Sequence, residues 1–191
     1  MAISTEARAE APDEVLEFER EFDAPASLVW RLWRDPEHMV RWHGPEGYWL
    51  THCEIDFRVG GKWRRCMSRA ADHAHWICGE YLEIDEPRRL VFTYINDFDP
   101  FETVVELDFS ERDGKTLMRF RQAPFPTVEE RDSHGLGWRS GLGLLAAYLD
   151  RVKAAEGKPV GQPRRDGVAD DIVALRKLRE ETDHADPSNA R

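Results

Sequence analysis

Alternation of apolar and polar residues predicts seven short strands in this chain. Residues 15–22 alternate, with Leu16 and Phe18 on one face, and form the first predicted strand. From residue 48 to residue 122 the pattern changes to short alternating runs separated by turn residues, which is typical of an antiparallel meander. The six strands predicted there are residues 50–57, 62–69, 75–84, 89–96, 101–110 and 116–123.

Two short helices are predicted between the first strand and the meander. Pro25 suits a first helical position, and the residues behind it carry an apolar stripe. The next segment, DPEHMVRWHGP (residues 35–45), is limited by Pro36 at its start and by Gly44-Pro45 at its end. So short a helix is stable only when its apolar side chains pack on a larger body. We therefore expect this segment to lie as a lid over an apolar cavity and to act as its entry gate.

One long helix is predicted after the meander. Residues 127–130, TVEE, form a capping box, and an apolar stripe follows for about 25 residues. The stripe consists of Leu136, Trp138, Leu142, Leu145, Leu149 and Val152. This order of elements predicts an α+β domain in which a curved seven-stranded antiparallel sheet wraps around the long helix. Because such a sheet is wider than one helix, a pocket is expected between them.

The same patterns set the expected domain boundaries. Residues 1–12 are expected to be unstructured, and residues 13–152 form the domain. A linker rich in Pro and Gly at 153–166, an amphipathic helix at 167–182 and an unstructured tail at 183–191 follow. The appended helix packs on the domain, contacts a partner or forms a homodimer. Residues 153–191 are expected to be dispensable for folding.

Charge and cysteine content narrow the possible partners. The formal charge is −10, with 37 acidic and 27 basic residues, and all of that excess lies in residues 1–152. Such a chain has no basic surface for nucleic acid or an anionic membrane. Three cysteines without a C-x-x-C spacing argue against a disulfide framework. The start of the chain lacks the features of a signal peptide, so we expect a cytoplasmic protein that does not enter membranes.

Four segments resemble a known family. They are FDAPASLVWRLWRDPEHMVRWHGP, CEIDFRVGGKWR, GEYLEIDEPRRLVFTY and RDSHGLGWRSGLGLLAAYL. In this order, over residues 15–152, they look like the family named after the activator of the heat-shock-protein-90 ATPase, in the START/SRPBCC superfamily. The resemblance implies the helix-grip fold of the birch pollen allergen, with an apolar ligand cavity between the sheet and the long helix.

Three functions are compatible with this resemblance. The first is a non-catalytic START-like domain that binds a small apolar or aromatic molecule in the cavity. The second is an interaction protein that regulates a chaperone ATPase. The third is a hydrolase or cyclase that uses polar groups of the same cavity. Neither a metal nor a cofactor is predicted, because His73, His75 and Cys78 lack a fourth ligand at a customary spacing.

Candidate ligand-binding residues follow from strand alternation. Trp63, Arg65 and Met67 share the face that is expected to point inwards. A buried Arg65 needs a partner, which is either Glu80 on the next strand or the carboxylate or phenolate of a ligand. The second alternative would favour acidic aromatic ligands. The full candidate set is Trp42, Trp63, Arg65, Met67, Glu80, Tyr94, Thr103, Gln122, Trp138 and Leu142, with the three tryptophans around one cavity.

Two glycines in the predicted long helix raise a separate question. Each glycine inside a helix costs about 1 kcal/mol relative to alanine. Gly137 and Gly141 lie four residues apart, so they leave a smooth groove on one side of the helix. The groove either lets the helix approach its neighbours closely or leaves space for a ligand.

Overall fold

The seven predicted strands and the three helices of the domain are all present in the computed structural model, which describes residues 14–70 and 73–161. The appended helix at 167–182 and both predicted unstructured ends lie outside the described residues. The elements are β1 (Glu14–Phe22), α1 (Ala26–Arg34), α2 (Pro36–Met39), β2 (Trp49–Ile55), β3 (Lys62–Ala70), β4 (His73–Asp85), β5 (Arg89–Asn96), β6 (Asp99–Arg112), β7 (Lys115–Phe125) and α3 (Val128–Ala154).

The strands form one antiparallel sheet in the order β1-β7-β6-β5-β4-β3-β2. Neighbours in the chain are neighbours in the sheet from β2 to β7, as a meander requires, and β1 joins beside β7. The predicted α+β helix-grip fold is therefore confirmed. Its core lies between the inner face of the sheet and α3, which buries Trp138, Leu142, Leu145, Leu149 and Val152.

Helix α3 begins at the predicted capping box. The Thr127 hydroxyl accepts a hydrogen bond from the Glu130 backbone N–H at 3.2 Å, and the Glu130 carboxylate contacts the same hydroxyl at 3.1 Å. This arrangement satisfies one of the amide groups that a helix leaves unpaired at its start. Leu136 is the exception in the predicted apolar stripe, since its side chain is exposed.

The chain continues in contact with the domain past the predicted boundary at residue 152. Helix α3 ends at Ala154, and residues 155–161 then turn back against α1 and the segment that follows α2. The Arg31 guanidinium donates to the Gly157 carbonyl at 3.3 Å, and the Arg41 guanidinium contacts the Gly161 carbonyl. Val160 packs against the core. We call residues 155–161 the C-terminal strap.

The strap makes the consequence of truncation testable. A chain that ends after Val152 should unfold more easily than a chain that ends after Gly161. The difference should be about 2 kcal/mol, because Val160 burial and the Arg31 hydrogen bond are lost. Urea denaturation of the two chains, followed by tryptophan fluorescence, measures it. Equal unfolding midpoints would show instead that the domain ends at 152, as the sequence indicated.

Candidate functional site

A cavity of about 310 Å³ opens between α3 and one end of the sheet. At this end β3 passes into β4 and β5 passes into β6, since Met67 pairs with His75 and Asn96 pairs with Asp99. We call this space the end cavity. Its aromatic walls are formed by Trp42, Tyr48, Tyr94, Phe98 and Trp138.

The roof of the end cavity comes from the segment after α2. Met39 and Trp42 are buried, and the Trp42 indole N–H donates to the Leu32 carbonyl at 2.9 Å. The Trp42 ring meets Trp33 edge-on, with ring centroids 4.9 Å apart. Trp42 therefore lines the cavity and is at the same time held by α1. An entry-gate role for this segment remains a prediction.

Glycines bring the roof close to α3. Gly44 adopts a φ of +98°, and a Cβ built on Gly141 would lie only 3.1 Å from the Gly44 carbonyl oxygen. Gly141 thus permits close packing of helix and roof. A Cβ built on Gly137 would meet only Pro45, at 4.0 Å, and Gly137 lines the cavity. Close packing therefore explains Gly141, and space for a ligand at Gly137 stays a prediction.

A chain of hydrogen bonds lies along the cavity floor. The Trp138 indole N–H donates to Gln122 Oε1 at 2.7 Å. An indole N–H can only donate, so this bond fixes the orientation of the Gln122 amide. Gln122 Nε2 then donates to Thr103 Oγ1 at 2.8 Å, and Thr103 donates in turn to the Tyr94 carbonyl at 3.2 Å.

The same amide determines the tautomer of His134. Gln122 Nε2 lies 3.2 Å from His134 Nδ1, so Nδ1 must accept. The proton of the neutral ring is consequently on Nε2, which donates to Asp99 Oδ2 at 3.2 Å. This tautomer is assigned from the hydrogen-bond network. Trp138 thereby orients Asp99 through Gln122 and His134.

Arg65 is buried but does not line the end cavity. Its side chain is 2% exposed, and its guanidinium carbon lies 4.4 Å from the centroid of the Trp63 ring. Arg65 Nη1 donates to His43 Nε2 at 3.1 Å, and His43 is part of the cavity wall. Since a guanidinium cannot accept, His43 carries its proton on Nδ1. Arg65 thus contacts the cavity wall through His43, and its charge also acts on the Tyr94 hydroxyl.

The predicted Arg65–Glu80 pair is wrong. Arg65 lies opposite Ile77, and Trp63 lies opposite Gly79, so the inner face of β4 carries Ile77 and Gly79. Glu80 lies opposite Lys62 on the outer face. The sequence pattern placed Glu80 on the inner face of β4, one residue away from the position that faces inwards. That position is Gly79, and a glycine gives no apolar signal.

The other candidate residues fall into three groups. Trp42, Met67, Tyr94 and Trp138 line the end cavity. Thr103 and Gln122 are buried beneath it and belong to the hydrogen-bond chain, while Trp63 and Leu142 belong to the core. Burial raises the pKa of the Tyr94 hydroxyl, so that group is neutral at physiological pH.

Sequence reasoning missed most of the polar lining and one aromatic wall; the residues missed include His43, Tyr48, His75, Asn96, Phe98, Asp99, Ser133 and His134. Phe98 and Asp99 follow β5 in what the pattern marked as a turn, and turns carry no periodic signal. His134 lies four residues before Trp138 on α3, so helical spacing alone places the two on one face. That spacing was the available signal.

No group of three or more His, Cys, Asp or Glu suited to a metal occurs within residues 14–70 and 73–161.

His75 at the cavity rim makes stability depend on pH. Burial lowers its pKa from 6.5 to about 4, with a smaller contribution from His73, while Asp99 opposes the shift. The folded protein therefore holds His75 neutral where an unfolded chain already binds a proton. The contribution of neutral His75 to the free energy of unfolding is complete above pH 6.5 and is lost as the pH falls towards 4.

The variant His75→Phe tests this directly. Between pH 7 and pH 4 the wild type should lose about 3 kcal/mol more unfolding free energy than His75→Phe. Urea titrations at a series of pH values measure the difference, and His73→Phe is the matched control at an exposed histidine. Identical pH dependence of wild type and His75→Phe would contradict the assignment.

Comparison with known proteins agrees with this architecture. Residues 23–150 match the model of a family described as activator of Hsp90 ATPase homolog 1-like protein. The chain matches no curated protein. In the described part of the chain, none of the helices is both long and apolar enough to cross a membrane.

Solved structures share the fold. The AHSA1 protein from Silicibacter pomeroyi is 26% identical, with a TM-score of 0.65, over 72% of this chain and 99% of that one. A protein from Chromobacterium violaceum is 25% identical, with a TM-score of 0.62, over 70% of this chain and 96% of that one. A protein from Nitrosomonas europaea, at 24% identity and a TM-score of 0.64 over 73% and 96% of the chains, shows the fold alone. Fold and family together support a ligand-binding or co-chaperone-type domain.

Proposed function

Because the chain belongs to the activator of Hsp90 ATPase homolog 1-like family, we propose that it binds a small apolar or aromatic molecule in the end cavity. The observation that carries the proposal is the cavity itself, which is walled by Trp42, Tyr94 and Trp138 and has a few fixed polar groups. Ligand sites in proteins combine apolar walls with a small number of oriented polar groups in this way.

The size of the cavity limits the ligand. Its 310 Å³ lies near the lower end of the range of about 300–1,000 Å³ for small-molecule sites. One or two fused rings with a short substituent fit this space. Trp42 and Trp138 are each held by a hydrogen bond of the indole N–H. Rigid aromatic walls lose little conformational entropy when they close on a ligand.

The polar groups favour binding over catalysis. Both nitrogens of His134 are engaged, one with Gln122 and one with Asp99. His43 Nε2 accepts from Arg65, and the Tyr94 hydroxyl is neutral. These groups orient one another and are suited to hold a ligand in one position. We therefore propose a non-catalytic role.

A pair of glycines on α3 provides the test. Gly137 lines the cavity, whereas a Cβ built on Gly143 meets nothing within 4 Å and Gly143 does not line the cavity. Gly137→Leu should place its side chain in the cavity, and Gly143→Leu should not. Both replacements should raise helix stability by up to about 1 kcal/mol, so neither variant should lose affinity by unfolding.

Binding of the neutral fluorescent probe 2-naphthylmethanol, two fused rings with a short substituent, measures the effect. Wild type and Gly143→Leu should bind it saturably with equal affinity, and Gly137→Leu should bind it at least tenfold more weakly, since the space is filled. Native mass spectrometry of freshly purified wild type should also reveal a co-purified small molecule. Equal affinity in all three proteins, or no saturable binding in any, would refute the proposal.

A further inference from the structure

We propose that the ligand of the end cavity carries a protonated amine, which Asp99 binds at the mouth while the aromatic walls enclose the apolar part. The inference rests on the proposed function and names the chemical class of the ligand. It reverses the preference for acidic ligands that the sequence suggested through Arg65.

Asp99 is placed to receive a cation. It is the first residue of β6 and lines the cavity, and its side chain is 25% exposed. One oxygen, Oδ2, accepts from His134 Nε2 at 3.2 Å. A carboxylate has about four acceptor sites, so this single bond leaves capacity for a ligand. Tyr94 and His75 line the same cavity as Asp99.

Asp99 is an acidic side chain of the cavity lining. Among the described residues that line the cavity there is no lysine, no arginine and no second carboxylate. His43 Nε2 accepts a hydrogen bond from Arg65, His134 Nδ1 accepts one from Gln122, and burial keeps the pKa of His75 near 4. The described lining therefore presents one carboxylate and neither a lysine nor an arginine.

The aromatic walls add to the attraction for a cation. The electron-rich face of an aromatic ring attracts a cation within about 6 Å of the ring centre. Tyr94 and Trp138 lie side by side with ring centroids 5.8 Å apart, and the Phe98 ring is 59% exposed at the mouth. An ammonium group at Asp99 would therefore stand beside several rings.

Two arginines lie near the cavity but are not part of its lining. Arg65 lies behind His43, further along β3 from the mouth than Met67. Arg69 is exposed, and its guanidinium lies 5.9 Å from the Tyr48 ring centroid. The excess negative charge of residues 1–152 attracts cations to the protein at long range. The ammonium group accordingly belongs at the Asp99 end and the ring at the deeper end.

Three probes with one ring system test the charge. They are 2-naphthylmethylamine, 2-naphthylmethanol and 2-naphthoate, titrated into the full-length protein by calorimetry at pH 7. The amine should bind at least tenfold more tightly than the alcohol, and the acid should bind most weakly. Raising the salt concentration from 20 to 300 mM should weaken amine binding several-fold and leave alcohol binding unchanged.

Two variants locate the effect. Asp99→Asn keeps the acceptor for His134 and removes the charge, so amine affinity should fall about tenfold, which corresponds to about 1.4 kcal/mol, while alcohol affinity stays within twofold. Glu102→Gln removes one charge from an exposed position of the same strand and is the matched control. It should leave the order of the three probes unchanged.

The outcomes separate the two proposals. Equal binding of amine and alcohol by wild type, or an equal loss of both in Asp99→Asn, would overturn the amine inference and leave the binding function standing. Tighter binding of the acid would overturn it in favour of anchoring through Arg65 and His43. If wild type binds none of the three probes, the proposed function itself fails and the inference falls with it.

Discussion

The hydrogen bond from the Trp138 indole to Gln122 is the constraint on which the rest of the site depends. Because the indole can only donate, it leaves the Gln122 amide one orientation. That orientation decides which nitrogen of His134 is protonated, and hence that Asp99 accepts a hydrogen bond from His134 Nε2. A single donor on α3 therefore sets the polarity of the cavity floor, in a buried place where an unsatisfied partner costs about 1–3 kcal/mol.

At Gly44 and Gly141 the roof approaches α3 with no side chain between the two backbones. The Gly44 carbonyl lies against Gly141, and the positive φ of Gly44 turns the roof towards the helix. Trp42 and Trp138 both line the cavity and both contact the Trp33 ring. The C-terminal strap contacts α1 and the segment that follows α2. Packing at the edges thus keeps open a space that one helix on a wide sheet does not fill.

Periodicity was sufficient for the fold, because each strand and helix buries one continuous face and so repeats its pattern. The site was only partly predictable. The apolar pattern was sufficient to identify four lining residues, because each belongs to an apolar face of its own segment. They are Trp42, Met67, Tyr94 and Trp138. Asp99 was missed because it lies in a predicted turn, where β6 begins. Glu80 was wrongly placed on the inner face as the partner of Arg65, because Gly79 occupies the inward position on β4 and gives no apolar signal. The inward face of a strand such as β4 is settled by its pairing with the neighbouring strands. Alternation within one strand carries no information about that pairing.

The spectrum of the tryptophan indole groups tests the central claim most directly. A ¹⁵N–¹H correlation spectrum separates the seven indole N–H signals, and an aromatic amine can be titrated while they are followed. If the end cavity is the ligand site, the Trp42 and Trp138 signals shift saturably, and those of Trp49 and Trp76, which do not line it, stay in place. Saturable shifts confined to Trp49 and Trp76, or no saturable shift at all, would contradict the account.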